Sequence, residues 1–167
     1  QSYFNDAMNA EVSYQTAGIS ADTSSGGVRL NMIPREGGNR FNGDFKAAFR
    51  PGEWQGDNLT ARHQATGLVG GNNIDRIVDA TVAQGGPIKR DKIWYFASAR
   101  DFVLHTLPAG VFVGVPGSGG LNRAPTPGDE RGVDEQDIKS VQARVTWQIS
   151  QKNKFAIYND RIAKNRG

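Results

Sequence analysis

From residue 28 onward, apolar and polar side chains trade places at every second position in one stretch after another. Val28, Leu30 and Met32 alternate with Arg29 and Asn31 until Pro34, which lacks a backbone donor, ends the pairing. Phe41, Gly43, Phe45, Ala47 and Phe49 share one parity, and Asn42, Asp44, Lys46 and Ala48 the other. Ile74, Val78, Ala80 and Val82 oppose Asp75, Ile77, Asp79, Thr81 and Ala83, and a segment opening on Trp94, Tyr95 and Phe96 runs to about Leu104. Val141, Ala143, Val145, Trp147 and Ile149 then alternate with Gln142, Arg144, Thr146 and Gln148, and Phe155 to Arg161 returns after the turn Ser150-Gln151-Lys152-Asn153. A period of two is that of the β-strand. The pattern therefore predicts an all-β fold, an antiparallel meander. Gln1 to Ser25 reads as irregular connection with at most one short helix or strand, and Pro51 to Gly71 as a surface loop with room for one strand.

The connections fall into two kinds. Lys89-Arg90-Asp91-Lys92 and Ser150 to Asn153 are tight, charged turns, whereas Pro51 to Asn73 and Leu107 to Asp137 are long. Short turns on one rim and long loops on the other are the signature of an outer-membrane β-barrel. A tilted spanning strand needs roughly 9–11 residues, close to what the alternating stretches supply. On that reading Val141, Ala143, Val145, Trp147 and Ile149 face lipid or an apolar layer, while Arg144 and its parity face the other way. Three consecutive aromatics cannot share one side of a strand. They fit either a membrane interface, where amphipathic rings sit at headgroup level, or a sandwich strand buried on both faces. Pro108, Pro116, Pro125 and Pro127 prevent a continuous ladder from crossing the Leu107–Asp137 connection. This connection is expected to be an exposed extracellular loop with the weakest local order in the chain, cut first by protease between Pro116 and Asp134. Val111 to Val115, its apolar piece, is expected to pair as an extra strand or to pack on a neighbour.

Composition narrows the class. The hydrophobic fraction is 37%, with 21 glycines in 167 residues, against a globular norm of roughly 45–50% apolar including glycine. Turns and strands are favoured over packed helices. No run approaches the roughly 18 apolar residues of a transmembrane helix, and no charged-then-apolar leader opens the chain, so any membrane role falls to strands and any export signal is expected upstream of residue 1. With no cysteine, disulfide and thiolate chemistry are excluded. A net charge of +3, with basic residues scattered among acidic ones, does not point to nucleic acid.

Candidate chemistry is sparse. His63 and His105 are the only histidines, each without ligand spacing around it. Pro116-Gly117-Ser118-Gly119-Gly120 imitates a nucleophile elbow, but Pro116 stands at the first glycine position and no strand-to-helix context surrounds it. The same glycines lack the remainder of a dinucleotide fingerprint, and there is no phosphate loop. Asp129, Glu130, Asp134, Glu135 and Asp137 form an acidic stretch without EF-hand spacing, read as a solvated loop. Asn58-Leu59-Thr60 matches a glycosylation sequon. No catalytic, cofactor-binding or metal-binding residue is assigned, and no cofactor is expected.

Several motifs in order carry a family likeness. Ser25-Gly26-Gly27-Val28 with Asn31 and Ile33, Gly37-Gly38-Asn39-Arg40-Phe41-Asn42-Gly43, and Gly85-Gly86-Pro87-Ile88-Lys89-Arg90-Asp91-Lys92-Ile93-Trp94-Tyr95-Phe96 are followed by Val145-Thr146-Trp147-Gln148 and Lys152-Asn153-Lys154-Phe155. From about Tyr14 to Arg161 the chain resembles TonB-dependent outer-membrane receptors, most of all the subgroup with an N-terminal carboxypeptidase-regulatory-like domain. The resemblance implies a segment of a plugged 22-stranded barrel in the bacterial outer membrane, taking up a substrate with energy from the TonB complex. Residues 1–34 would then be the C-terminal end of the plug domain, and residues 35–167 the first strands of the transmembrane barrel. The chain is expected to be a fragment that begins within the plug and stops after about five strands. Unpaired backbone in lipid costs several kcal/mol per group, so its partners are the remainder of the receptor polypeptide or other copies of the chain. Outer-membrane lipid, an unspecified substrate, and TonB, reached through a more N-terminal region, complete the expected set. The rival reading is a soluble β-rich fragment with weak hydrolase or binding activity, for which His63, His105 and Ser118 are the first residues to mutate.

Overall fold

The computed structural model describes residues 5–16, 28–56, 59–67, 70–113 and 129–167. The strands are β1 (Asn9–Gln15), β2 (Arg29–Pro34), β3 (Asn42–Pro51), β4 (Asn73–Lys89), β5 (Ile93–Leu107), β6 (Asp134–Gln148) and β7 (Lys154–Arg166). β1 and β2 pair antiparallel, with Val12 opposite Met32 and Tyr14 opposite Leu30, and the register shifts between Asn9 and Glu11. The other five form one sheet in the order β3-β4-β5-β6-β7, each beside its neighbour in sequence. The fold is thus all-β and an antiparallel meander, as the alternation predicts.

Compact packing divides the chain into two units. The first comprises Gln1–Phe45, Thr81–Arg100 and Ser140–Ile162, and it holds the β1–β2 pair and both short turns. A 3-10 turn at Asp6–Met8 precedes β1, capped by the Asn5 side chain, which accepts from the Ala7 amide at 3.2 Å. Met8 and Ala7 are buried with Ala83 and Phe96 in a small apolar core. At the β4–β5 turn Asp91 adopts φ +60°, a left-handed conformation rare for a residue with a Cβ. Asn39 helps to hold it there: its Oδ1 accepts from the Asp91 amide at 2.9 Å and from the Trp94 indole at 2.7 Å. At the β6–β7 turn the Ser150 hydroxyl accepts from the Asn153 amide at 3.2 Å.

The second unit comprises Lys46–Ala80, Asp101–Lys139 and Ala163–Gly167, and it holds both long connections. Where the sequence leaves room for a strand between Pro51 and Gly71, the described residues contain a 3-10 turn at Gly52–Trp54 and one helical turn, α1 (Ala61–Ala65). Thr60 and His63 cap α1 reciprocally, with His63 in the place usually taken by Glu or Gln, so the local signal for a helix start was disguised. The β5–β6 connection is tied at its base by a Phe112–Arg131 bridge, with Val113 donating to Glu130 at 2.8 Å and Gly132 to Val111 at 3.0 Å. Residues 111–113, the described part of the apolar piece, therefore pair, but through a single bridge. Residues 114–128, on which the expectations of weak order and early cleavage mainly rest, lie outside the described residues. β6 begins at Asp134, so Asp134, Glu135 and Asp137 belong to a strand and not to a solvated loop.

Candidate functional site

Along β6 within the first unit, Ser140, Gln142 and Thr146 are buried, Thr146 to 1% exposure, whereas Val141 and Trp147 on the other parity are 59% and 46% exposed. Val145 and Ile149 are exposed as well, and Arg144 lies on the parity of the buried residues. A sheet that turns one face to water buries its apolar parity. This strand does the reverse, as the barrel pattern requires. On β5 the buried parity is mixed: Ser98 is buried beside the core residue Phe96, while Tyr95, on the other parity, donates its hydroxyl to Gln84 Oε1 at 2.7 Å. The aromatic trio is thereby split between faces, with Trp94 on the parity of Phe96.

The buried polar face is covered by the N-terminal part of the chain. Asn5, itself buried, donates from Nδ2 to Ser98 Oγ at 3.2 Å, and Ser98 Oγ donates to Gln142 Oε1 at 3.3 Å. These neutral hydrogen bonds and the small core around Met8 hold the 3-10 turn against the wall. The amide of Arg35 donates to the Met8 carbonyl at 2.6 Å and ties the end of β2 to the same turn. The hydroxyls of Ser140 and Thr146 find no protein partner, so the buried face is polar beyond what its own hydrogen bonds use.

Residues 35–41 continue across this face. Arg35 pairs with Asp44 at 3.3 Å and lays its guanidinium 5.8 Å from the Phe96 ring centroid, within cation–π range. Glu36 accepts from Arg144 Nη2 at 2.5 Å with one oxygen and pairs with Lys154 through the other. Gly37 lies against the backbone of Tyr95, and the ring of Phe41 occupies the space a side chain at Gly86 would need. None of these partnerships is visible in the sequence, because the charges that Glu36 meets lie 108 and 118 residues away.

The residues singled out for chemistry are engaged elsewhere. His63 is exposed, and its ring nitrogen Nδ1 accepts from the Thr60 amide at 3.3 Å in the α1 cap. His105 is buried, with Nε2 3.4 Å from Asp137 Oδ1 and Nδ1 3.8 Å from Glu135 Oε1, a juxtaposition absent from its sequence surroundings. Ser118 and the sequon residue Asn58 lie outside the described residues. Among the described residues no group of three or more His, Asp and Glu is arranged to hold a metal ion. In the second unit, Phe49, Glu53, Asn73, Asp75, Arg76 and their neighbours line an open recess of about 520 Å³. The described helices include none long and apolar enough to cross a membrane.

A stretch of 74 residues, 44% of the chain, is 38% identical to part of the TonB-dependent transporter Oar of Myxococcus xanthus. The matched part is 7% of that protein's length. No protein-family profile matches the chain. No solved structure matches it either. The similarity relates the chain to a TonB-dependent transporter over that stretch.

Proposed function

We propose that the chain is a segment of an outer-membrane active transporter of the TonB-dependent kind, with residues 1–34 the end of the plug and residues 35–167 the first strands of the barrel wall. The observation that carries this reading is the inverted burial along β6: exposed Val141, Val145, Trp147 and Ile149 on one side, and buried Ser140, Gln142 and Thr146 under the N-terminal segment on the other. The strands of the main sheet are 10 to 17 residues long, enough to span a bilayer at the usual tilt. The outward parity is the lipid face, and the polar parity is the wall of a lumen that residues 5–16 and 28–41 occlude. Neutral hydrogen bonds such as Asn5–Ser98–Gln142 suit a plug that must be both seated and movable, since each is worth only about 1 kcal/mol net. Energy reaches this assembly from the TonB complex, and the substrate is met by the plug and the long connections, where the recess beside Phe49 offers an aromatic face among charges. The segment performs no chemistry of its own. The rival hydrolase reading gains no support from His63, whose ring is used to cap α1.

Tryptophan quenching tests the reading. With Trp54 replaced by Phe, single-tryptophan forms retaining Trp147 or Trp94 are placed in vesicles containing brominated lipid. Trp147 should be quenched strongly and Trp94, bonded to Asn39, weakly. Equal quenching of the two, or none for Trp147, would overturn the lipid-face assignment.

A further inference from the structure

One short segment of the first unit meets every strand of the main sheet. Going along residues 35–41, Arg35 reaches Asp44 of β3 and the Phe96 ring of β5, Glu36 reaches Arg144 of β6 and Lys154 of β7, Gly37 abuts the Tyr95 backbone of β5, and Phe41 fills the space over Gly86 of β4. Asn39 adds the β4–β5 turn through Asp91 and Trp94. The segment thus lies across the strands as a strap.

A two-faced sheet protects itself against some errors of pairing and not against others. Sliding one strand by a single residue turns every side chain to the wrong face, and the lipid or the polar interior rejects it. Sliding by two residues restores the faces and leaves the alternation satisfied. Nothing in the period-two pattern opposes that slip. The strap does oppose it, because it reads individual positions. If the β6–β7 hairpin moved by two along β5, Gln142 or Thr146 would take the place of Arg144, and Ala156 or Lys152 that of Lys154. Glu36 would lose its guanidinium in either direction, and in one direction both cations. Glu36 and Lys154 are exposed, and a pair between them alone is worth little, but the Arg144 side chain is only 16% exposed, so a slip that takes its guanidinium away from Glu36 costs more than breaking a surface pair.

We propose that residues 35–41 are a register lock, in which Glu36 selects the one even-numbered alignment of β6 and β7 that places Arg144 and Lys154 beside it. The lock rests on the contacts within the first unit and not on the identity of any transported substrate.

The chain has no cysteine, which makes the test direct, because a disulfide needs Cβ atoms about 3.5–4.5 Å apart and so distinguishes neighbouring registers. The Gln148 amide donates to the Lys92 carbonyl at 2.7 Å, so the pair Lys92→Cys/Gln148→Cys reports the native alignment. Lys92→Cys/Thr146→Cys and Lys92→Cys/Ser150→Cys report slips of two in either direction. The whole chain is folded in detergent micelles and oxidised. With Glu36 present only the native pair should close. In Glu36→Gln the native product should fall several-fold and a slipped product should appear. Reversing the charges, Glu36→Lys with Arg144→Glu and Lys154→Glu, should return the native product. An unchanged native product in Glu36→Gln, failure of all three pairs to close in that variant, or a charge reversal that does not restore the native pair would each overturn the lock.

Discussion

At Gly37 an ideal Cβ would stand 2.1 Å from the Tyr95 carbonyl oxygen, a backbone atom that cannot rotate away. At Gly38 a Cβ would meet nothing within 4 Å. The two neighbours therefore make a controlled comparison: Gly37→Ala should destabilise the fold by about 3 kcal/mol, in the range of overpacked sites, and Gly38→Ala should be close to neutral, both read by denaturant unfolding in micelles. Val145 and Thr146 make a second comparison of adjacent residues on opposite faces. Arg at Val145, near a bilayer midplane, should cost about 2–4 kcal/mol in lipid vesicles. A cost near zero would remove Val145 from the lipid face. Which way Val145 and Arg144 point was legible from the sequence, because parity is a local property. The roles of Glu36 and Asn39 were not, since both residues sit in a glycine-rich turn and meet partners 52 to 118 residues away.

At the level of elements, β6 extends seven residues ahead of its clearly alternating part, from Asp134 to Ser140. Sequence reading lost it there because the parity of Glu135 and Asp137 is filled by acids, whose partners lie on other strands. His105 faces Glu135 and Asp137, and Arg166 grips Asp134 with Nε at 3.2 Å and Nη2 at 3.1 Å. Asp134 is the first residue of its strand, beyond the ten or so that a crossing requires. The hydrogen bond from Arg166 holds its carboxyl below the usual aspartate value, against a smaller opposing effect of burial. A depressed carboxylate pKa stabilises the fold above the unfolded value of about 3.9, and the contribution is lost as pH falls through the lower folded value. An NMR titration should therefore place the Asp134 midpoint below 3.9, and Arg166→Gln should raise it. The long connections are clipped in a similar way by Arg131, whose Nη2 donates to the carbonyls of Gly71, Leu107 and Pro108. Arg131→Ala should open protease sites at residues 70–72 and 108–113 without affecting the Asn39–Trp94 hydrogen bond, which mass spectrometry of the fragments and the indole NMR signal would show.

On the scale of the whole molecule, apolar side chains exposed across β3, β6 and β7, among them Phe45, Phe49, Val141, Trp147, Phe155 and Ile157, form no core of their own. The chain should aggregate in plain buffer and become monodisperse in micelles, and a monodisperse monomer without detergent in analytical ultracentrifugation would contradict the barrel assignment. The strap adds a consequence in time. A hairpin closed by residues 90–92 brings its strands together locally, on a scale of about 1–10 µs. The Glu36–Lys154 pair must instead close a loop whose ends are 118 residues apart, and contacts of that separation form late because their entropy is lost before they contribute anything. Hairpins thus assemble first and are proofread afterwards. Until Glu36 meets Arg144 and Lys154, the sheet therefore passes through a period in which its faces are correct and its alignment is not yet decided.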